Sequence, residues 1–146
     1  MDIVLLSRAE DFVRPDRRPA LARMLRPEEL DACTRQGRLD AGAVAGFLAV
    51  KEAVFKLFHA RDRPVPWLSI HVDGGAGTWP AVHLTGVAAH LAEAARIDPE
   101  PSVSLAHDGA YAVAVAAAGP AGTTGPAEPP AAARRRQPDA PREVAP

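Results

Sequence analysis

Hydrophobic and polar positions change their spacing several times along the chain, and each change marks an element. Residues 3–6, Ile-Val-Leu-Leu, form a short β-branched and aliphatic run that suits a buried strand. Pro27–Ala32 reads as a helix start, with proline first and acids in the first turn, and Gly37 is placed to end it. The longest helical pattern covers 41–59, and Pro64 and Pro66 stop it. Over 67–72, Leu68, Ile70 and Val72 alternate with Ser69 and His71, which predicts a strand. A turn at Gly74-Gly75-Ala76-Gly77 leads into a second strand over 81–85, where Val82 and Leu84 share a face. An alanine-rich amphipathic helix follows over 86–96, ended by Asp98-Pro99. Strands at 102–106 and 111–116 close the pattern around the hairpin turn His107-Asp108-Gly109-Ala110. No internal repeat is present. Helices and mostly antiparallel strands in this order predict a compact α+β domain.

Composition trims this domain. Residues 119–146 hold seven of the fifteen prolines, three glycines, no aromatic residue, and Val144 as the one aliphatic side chain larger than alanine. Such a stretch buries too little apolar surface to offset its ordering entropy, so residues 1–118 are expected to be the folded domain and 119–146 a disordered tail. The run Arg134-Arg135-Arg136 within the tail reads as a solvated charge run. A formal net charge of −1 speaks against a general nucleic-acid binder. A single cysteine, Cys33, excludes an internal disulfide and fits a reducing cytoplasm. No apolar stretch approaches the roughly 20 residues of a membrane span. The start, Met1-Asp2-Ile3-Val4, carries an acid where a signal peptide would be basic. A soluble cytoplasmic protein is expected.

Candidate chemistry concentrates in one helix. Phe47 to Phe58 is apolar on nearly every side, the mark of a buried helix, yet Lys51, Glu52 and Lys56 interrupt it. Glu52 shares its side with Ala45, Leu48, Phe55 and His59, and Lys56 lies one turn on. A carboxylate in such surroundings is costly unless a cation meets it. A plain Glu52–Lys56 helical pair would contribute only a few tenths of a kcal/mol. Lysine usage argues for more. The chain has fifteen arginines and two lysines, and both lysines are in this motif. Lysine is a compact point charge able to release a proton, which arginine is not. Further polar candidates are Asp2, at the start of the first strand, and the cluster Ser104-Leu105-Ala106-His107-Asp108 at a strand end. An Asp and Glu pair without a cysteine or histidine cluster favours a hard ion such as Mg²⁺ over zinc.

These pieces, in this order, resemble the small holo-acyl-carrier-protein synthases, the short class of 4′-phosphopantetheinyl transferases. The resemblance rests on Asp2-Ile3, Leu25-Arg26-Pro27-Glu28-Glu29, Lys51-Glu52-Ala53-Val54-Phe55-Lys56, Thr78-Trp79-Pro80, Ser102-Val103-Ser104-Leu105-Ala106-His107 and Tyr111-Ala112-Val113-Ala114. It spans about residues 1–117. It departs from the family pattern at Phe47, where arginine is usual, at Arg26 in place of threonine, and at Trp79 in place of a basic residue. Only Met1 precedes Asp2, where the family strand has several residues.

The resemblance implies a phosphopantetheinyl transferase-like fold with a long central helix. It also implies transfer of the phosphopantetheine arm of coenzyme A to a serine of an acyl or peptidyl carrier protein. Asp2 and Glu52 would hold Mg²⁺, Glu52 or a water beside it would take the serine proton, and Lys56 would serve the phosphate oxygens. Lys51, Ser104 and His107 would contact coenzyme A, with Asp108 orienting His107 and His107 also placed in the catalytic set. Arg14, Arg17, Arg18, Arg23 and Arg26, otherwise an ordinary solvated face, would dock the acidic helix of the carrier. A homotrimer with the active site at the subunit boundary is also implied. A second reading is a non-catalytic relative of the same fold that binds a carrier protein or another subunit.

Overall fold

The alternation of the first strand sets the frame for everything around it. In β1 (Asp2–Leu5) Asp2 and Val4 face inward while Ile3 and Leu5 remain about half exposed. The strand is therefore half-buried, not buried on both faces as its aliphatic run suggests. The computed structural model describes residues 1–60, 62–74 and 79–122. The expected turn at 75–77, Thr78 of the Thr78-Trp79-Pro80 motif, and the expected tail from 123 onward, including Arg134-Arg135-Arg136, lie outside the described residues.

Helix α1 (Leu6–Phe12) follows β1 directly and has no side-chain cap, so no sequence signal announces it. A short 3₁₀ turn (Pro15–Arg17) and helix α2 (Arg18–Leu21) make up the arginine-rich segment. Helix α3 (Pro27–Ala32) matches its proline-and-acid start. Its end differs from expectation: Gln36 and Gly37, with φ of 51° and 75°, form the left-handed turn of a miniature hairpin, β2 (Thr34–Arg35) with β3 (Arg38–Leu39). Gly37 is thus a hairpin residue and not a helix cap.

Asp40 then caps the central helix α4 (Ala41–Leu57), its carboxylate accepting the Ala43 amide at 2.9 Å. Residues Val44 to Lys51, together with Ala53 and Val54, are buried, as an all-round apolar helix should be. A 3₁₀ turn (Trp67–Ser69) takes the first half of the strand expected over 67–72. Antiparallel β4 (Ile70–Asp73) and β5 (Ala81–Leu84) follow. Helix α5 (Gly86–Ala95) is ended by Arg96 in the left-handed conformation, φ 54°, ahead of the expected Asp98-Pro99 stop.

The closing hairpin of β6 (Ser102–Asp108) and β7 (Tyr111–Ala117) pairs with β1 in the antiparallel order β1-β7-β6. Helix α4 lies across the inner face of this sheet, where Val4, Ala112, Ala114 and Ala116 are buried against it. Alanine on β7 lets the helix approach closely. Gly46 marks a tight point, because a Cβ there would stand 2.8 Å from Leu105. The expected α+β architecture, with mostly antiparallel strands and a long central helix, is the one observed.

Candidate active site

Asp2 on β1 and Lys56 on α4 are 54 residues apart in sequence and meet because the helix crosses the strand. Asp2 Oδ1 accepts a hydrogen bond from Lys56 Nζ at 2.6 Å, and the same ammonium reaches the Met1 carbonyl at 3.2 Å. Asp2 Oδ2 is buried and has no hydrogen-bond partner among the described residues. Beside it stands Glu52, partly buried, one turn before Lys56. Burial pushes the Glu52 carboxyl above the ordinary carboxylate range, and the adjacent Asp2 carboxyl pushes it the same way, while Arg8 and Lys56 pull it back. Two such carboxyls can bond each other only when one carries a proton; with both ionised, a cation must stand between or beside them.

This donor set fits a hard divalent cation. It offers oxygen ligands, an orphaned buried carboxylate atom and a second carboxylate alongside. Among the described residues no group of three or more His, Cys, Asp or Glu side chains could hold a metal by itself. A two-carboxylate site leaves its other positions to water and phosphate oxygens, which is how Mg²⁺ is commonly held.

Lys51, the other lysine of the motif, is placed quite differently. It is fully buried and donates to Glu29 Oε2 at 2.6 Å, the Trp67 carbonyl at 2.9 Å and the Met24 carbonyl at 3.0 Å. Its three protons are all used, so the expected contact with coenzyme A has no donor left to make it. Burial pushes its ammonium below the usual lysine range, and Glu29 pulls it back. Glu29 itself was not singled out by the sequence reading. It looks like a first-turn acid of α3, and it does accept the Arg26 amide at 2.8 Å, but its other oxygen holds the Val72 amide at 2.9 Å.

The β6 candidates sit elsewhere. His107 Nε2 lies 2.9 Å from the Gly42 carbonyl at the first turn of α4. Gly42 is ten residues before Glu52, roughly 15 Å along the helix. Within one chain His107 therefore does not join Glu52 and Lys56. Ser104 pairs with Val115 and is exposed on the outer face of the sheet, away from α4. Asp108 adjoins His107 in the same strand, so the two side chains point to opposite faces and Asp108 cannot orient it. Of the five arginines, Arg14, Arg17, Arg18 and Arg23 are exposed, and Arg14 pairs with Asp16 at 3.3 Å. Arg26 is partly buried and donates through Nε to the Leu68 carbonyl at 2.8 Å. A groove of about 500 Å³ lies beyond the end of α4, between Phe58, Ala60 and Arg63 on one side and Val87, His90 and Leu91 on the other, and Asp2, Glu52 and Lys56 do not line it.

No protein-family model matches the chain. It is 39% identical over 98 residues to a holo-[acyl-carrier-protein] synthase of Desulforudis audaxviator, covering 67% of this chain and 73% of that protein. The chain belongs to the holo-[acyl-carrier-protein] synthase family. A holo-[acyl-carrier-protein] synthase of Rhodopirellula baltica is 34% identical over 98 residues, 66% of this chain and 77% of that one. The solved Helicobacter pylori holo-[acyl-carrier-protein] synthase, in complex with coenzyme A, superposes with a TM-score of 0.66 at 27% identity. That match covers 81% of this chain and 96% of that one. The resemblance read from the ordered motifs is borne out, and the fold expected from it is the fold of these synthases.

Proposed function

We propose that the chain transfers the 4′-phosphopantetheine arm of coenzyme A to a serine hydroxyl of an acyl or peptidyl carrier protein, in a Mg²⁺-dependent reaction. The observation that carries this is the meeting of Asp2, Glu52 and Lys56, with one buried carboxylate oxygen left unpartnered. Family membership names the reaction class, and the coenzyme A complex of the Helicobacter relative supports coenzyme A as co-substrate.

Asp2 and Glu52 would hold Mg²⁺, which when bound neutralises pyrophosphate charge. Lys56 is exposed enough to leave Asp2 for a phosphate oxygen and to donate a proton as the bond to adenosine 3′,5′-bisphosphate breaks. Glu52, or a water beside it, takes the proton of the attacking serine. The serine oxygen thus gains the phosphopantetheine phosphorus and loses its proton, and the bisphosphate leaves.

Arg14, Arg17, Arg18 and Arg23 present exposed positive charge for an acidic carrier surface, with Arg26 anchoring the end of that segment. A homotrimer belongs to the proposal. The outer face of the β1-β7-β6 sheet exposes Ile3, Leu5, Tyr111 and Val115, an apolar surface that a second copy would cover. Such a neighbour would bring its Ser104 and His107 toward a site that the same two residues of this chain do not reach. One buried free cysteine fits a cytoplasmic setting in fatty-acid or polyketide synthesis, and no described helix is long and apolar enough to cross a membrane. An assembled set of two carboxylates and an ammonium speaks for the enzyme over a non-catalytic docking relative.

The test is incubation with apo-carriers of both kinds, coenzyme A and Mg²⁺, followed by carrier mass. A phosphopantetheine increment on at least one carrier is expected; none across the panel would overturn the reading.

A further inference from the structure

The Glu29–Lys51 pair takes no direct part in the proposed chemistry, yet it is among the most completely bonded side-chain groups in the molecule. Lys51 is 0% exposed and Glu29 4%. Between them they engage the Met24 and Trp67 carbonyls and the Arg26 and Val72 amides, at 2.8–3.0 Å, around an ion pair of 2.6 Å. Those four backbone groups belong to four places: the end of the arginine-rich segment, the start of α3, the 3₁₀ turn after α4, and β4.

Lys51 is the chain neighbour of Glu52, and Lys56 follows five residues later on the same helix. Rotation of α4 by one residue, about 100°, would carry Glu52 away from Asp2. Close packing, as at Gly46 against Leu105, resists such a rotation, but α4 is buried on nearly every side and hydrophobic contact is non-directional. An ammonium donating to three acceptors on separate segments is directional. Arg26 adds a second tie, from the arginine-rich segment to the Leu68 carbonyl beside Trp67.

We infer that Glu29 and Lys51 are positioning residues: their buried pair sets the rotation of α4, and so the placement of Glu52 and Lys56, against the end of the arginine-rich segment at Met24 and Arg26. This deepens the proposed function and rests on it. A pair of this kind couples the surface offered to the carrier with the helix that offers the catalytic groups. Its loss should therefore change turnover and carrier recognition together and weaken the Mg²⁺ dependence of coenzyme A binding.

Lys51→Met keeps a long apolar stem and removes the ammonium. Expressed per folded molecule, with the folded fraction from near-ultraviolet circular dichroism, kcat is expected to fall about 100-fold. The KM for carrier should rise, and coenzyme A binding should lose part of its Mg²⁺ dependence. Where Lys51→Met does not fold, the double variant Glu29→Leu/Lys51→Met, which leaves no orphaned charge, carries the same expectation. Amide exchange across residues 51–56, read by mass spectrometry, is expected to quicken while that of α5 stays unchanged. Wild-type kcat per folded molecule in either variant would overturn the proposal, and so would unchanged exchange. Failure of both variants to fold would make the pair a stability element only and would also overturn it. Should the wild-type chain itself transfer nothing, the proposed function fails, and the exchange comparison alone decides the positioning role.

Discussion

Two lysines five residues apart on one helix live in opposite worlds. Lys56 is 57% exposed, meets one carboxylate and keeps an open side. Lys51 is sealed, with every proton spent on a fixed acceptor. The same residue type in the same motif thus does two kinds of work, and burial decides which. An ammonium with an open side and a carboxylate beside an orphaned oxygen can respond to an incoming phosphate. An ammonium without free donors can only hold the fold in place.

The contrast breaks most sharply when each region loses its charge. Glu52→Gln, which removes a carboxylate from the open region, should cut the transfer rate by about 10³-fold, in the range seen when a principal electrostatic group is lost. Circular dichroism should show the fold intact; a variant that retains activity would contradict the role given to Glu52. Lys56→Met should lower the rate by about 10²-fold and cost about 1–2 kcal/mol of unfolding free energy, less than at Lys51 because the ammonium end of this pair is exposed although Asp2 is buried. Lys51→Met should do the reverse to stability: an uncompensated buried Glu29 costs about 3–5 kcal/mol in denaturant unfolding. Equal stability losses at the two lysines would dissolve the comparison.

A smaller effect concerns pH. Glu52 carries a raised carboxyl in the fold, so the folded state holds its proton longer than the unfolded chain does. In metal-free protein this group contributes stability below its unfolded pKa, and that contribution is lost as pH rises toward the raised value. Thermal scans of wild type against Glu52→Gln should therefore diverge above the ordinary carboxylate range, with the glutamine form the more stable. Parallel curves would remove Asp2 and burial as the cause. The smallest effect is at Cys33, fully buried, with its thiol pushed to about 12 by burial and by the Glu29 and Asp40 carboxylates. It should resist alkylation in the native protein and react once unfolded.

Legibility in the sequence follows the range of the interactions. The α4 pattern, its length to within two residues, and the carboxylate-and-lysine cluster were readable, because period and composition are local. Asp2 is readable as an acid at a strand start, but its meeting with Lys56, 54 residues on and beside Glu52, is marked by no local pattern. Glu29 was hidden because it satisfies a local rule, an acid in a first helical turn, while its decisive partners are 22 and 43 residues away. Helix α1 lacked a cap, and Gly37 obeyed a different turn from the one assigned. Within one chain His107 stands at the far end of α4 from Glu52, a placement set by strand register, which spacing alone does not give.

The central claim is that Asp2 and Glu52 together form a metal and phosphate centre, and calorimetric titration with coenzyme A tests it most directly. Wild type and Asp2→Asn would each be titrated with and without Mg²⁺. Wild type should bind coenzyme A more tightly with Mg²⁺, and Asp2→Asn should lose that dependence. Binding by wild type that ignores Mg²⁺, or an Asp2→Asn variant that responds to Mg²⁺ as wild type does, would contradict the account.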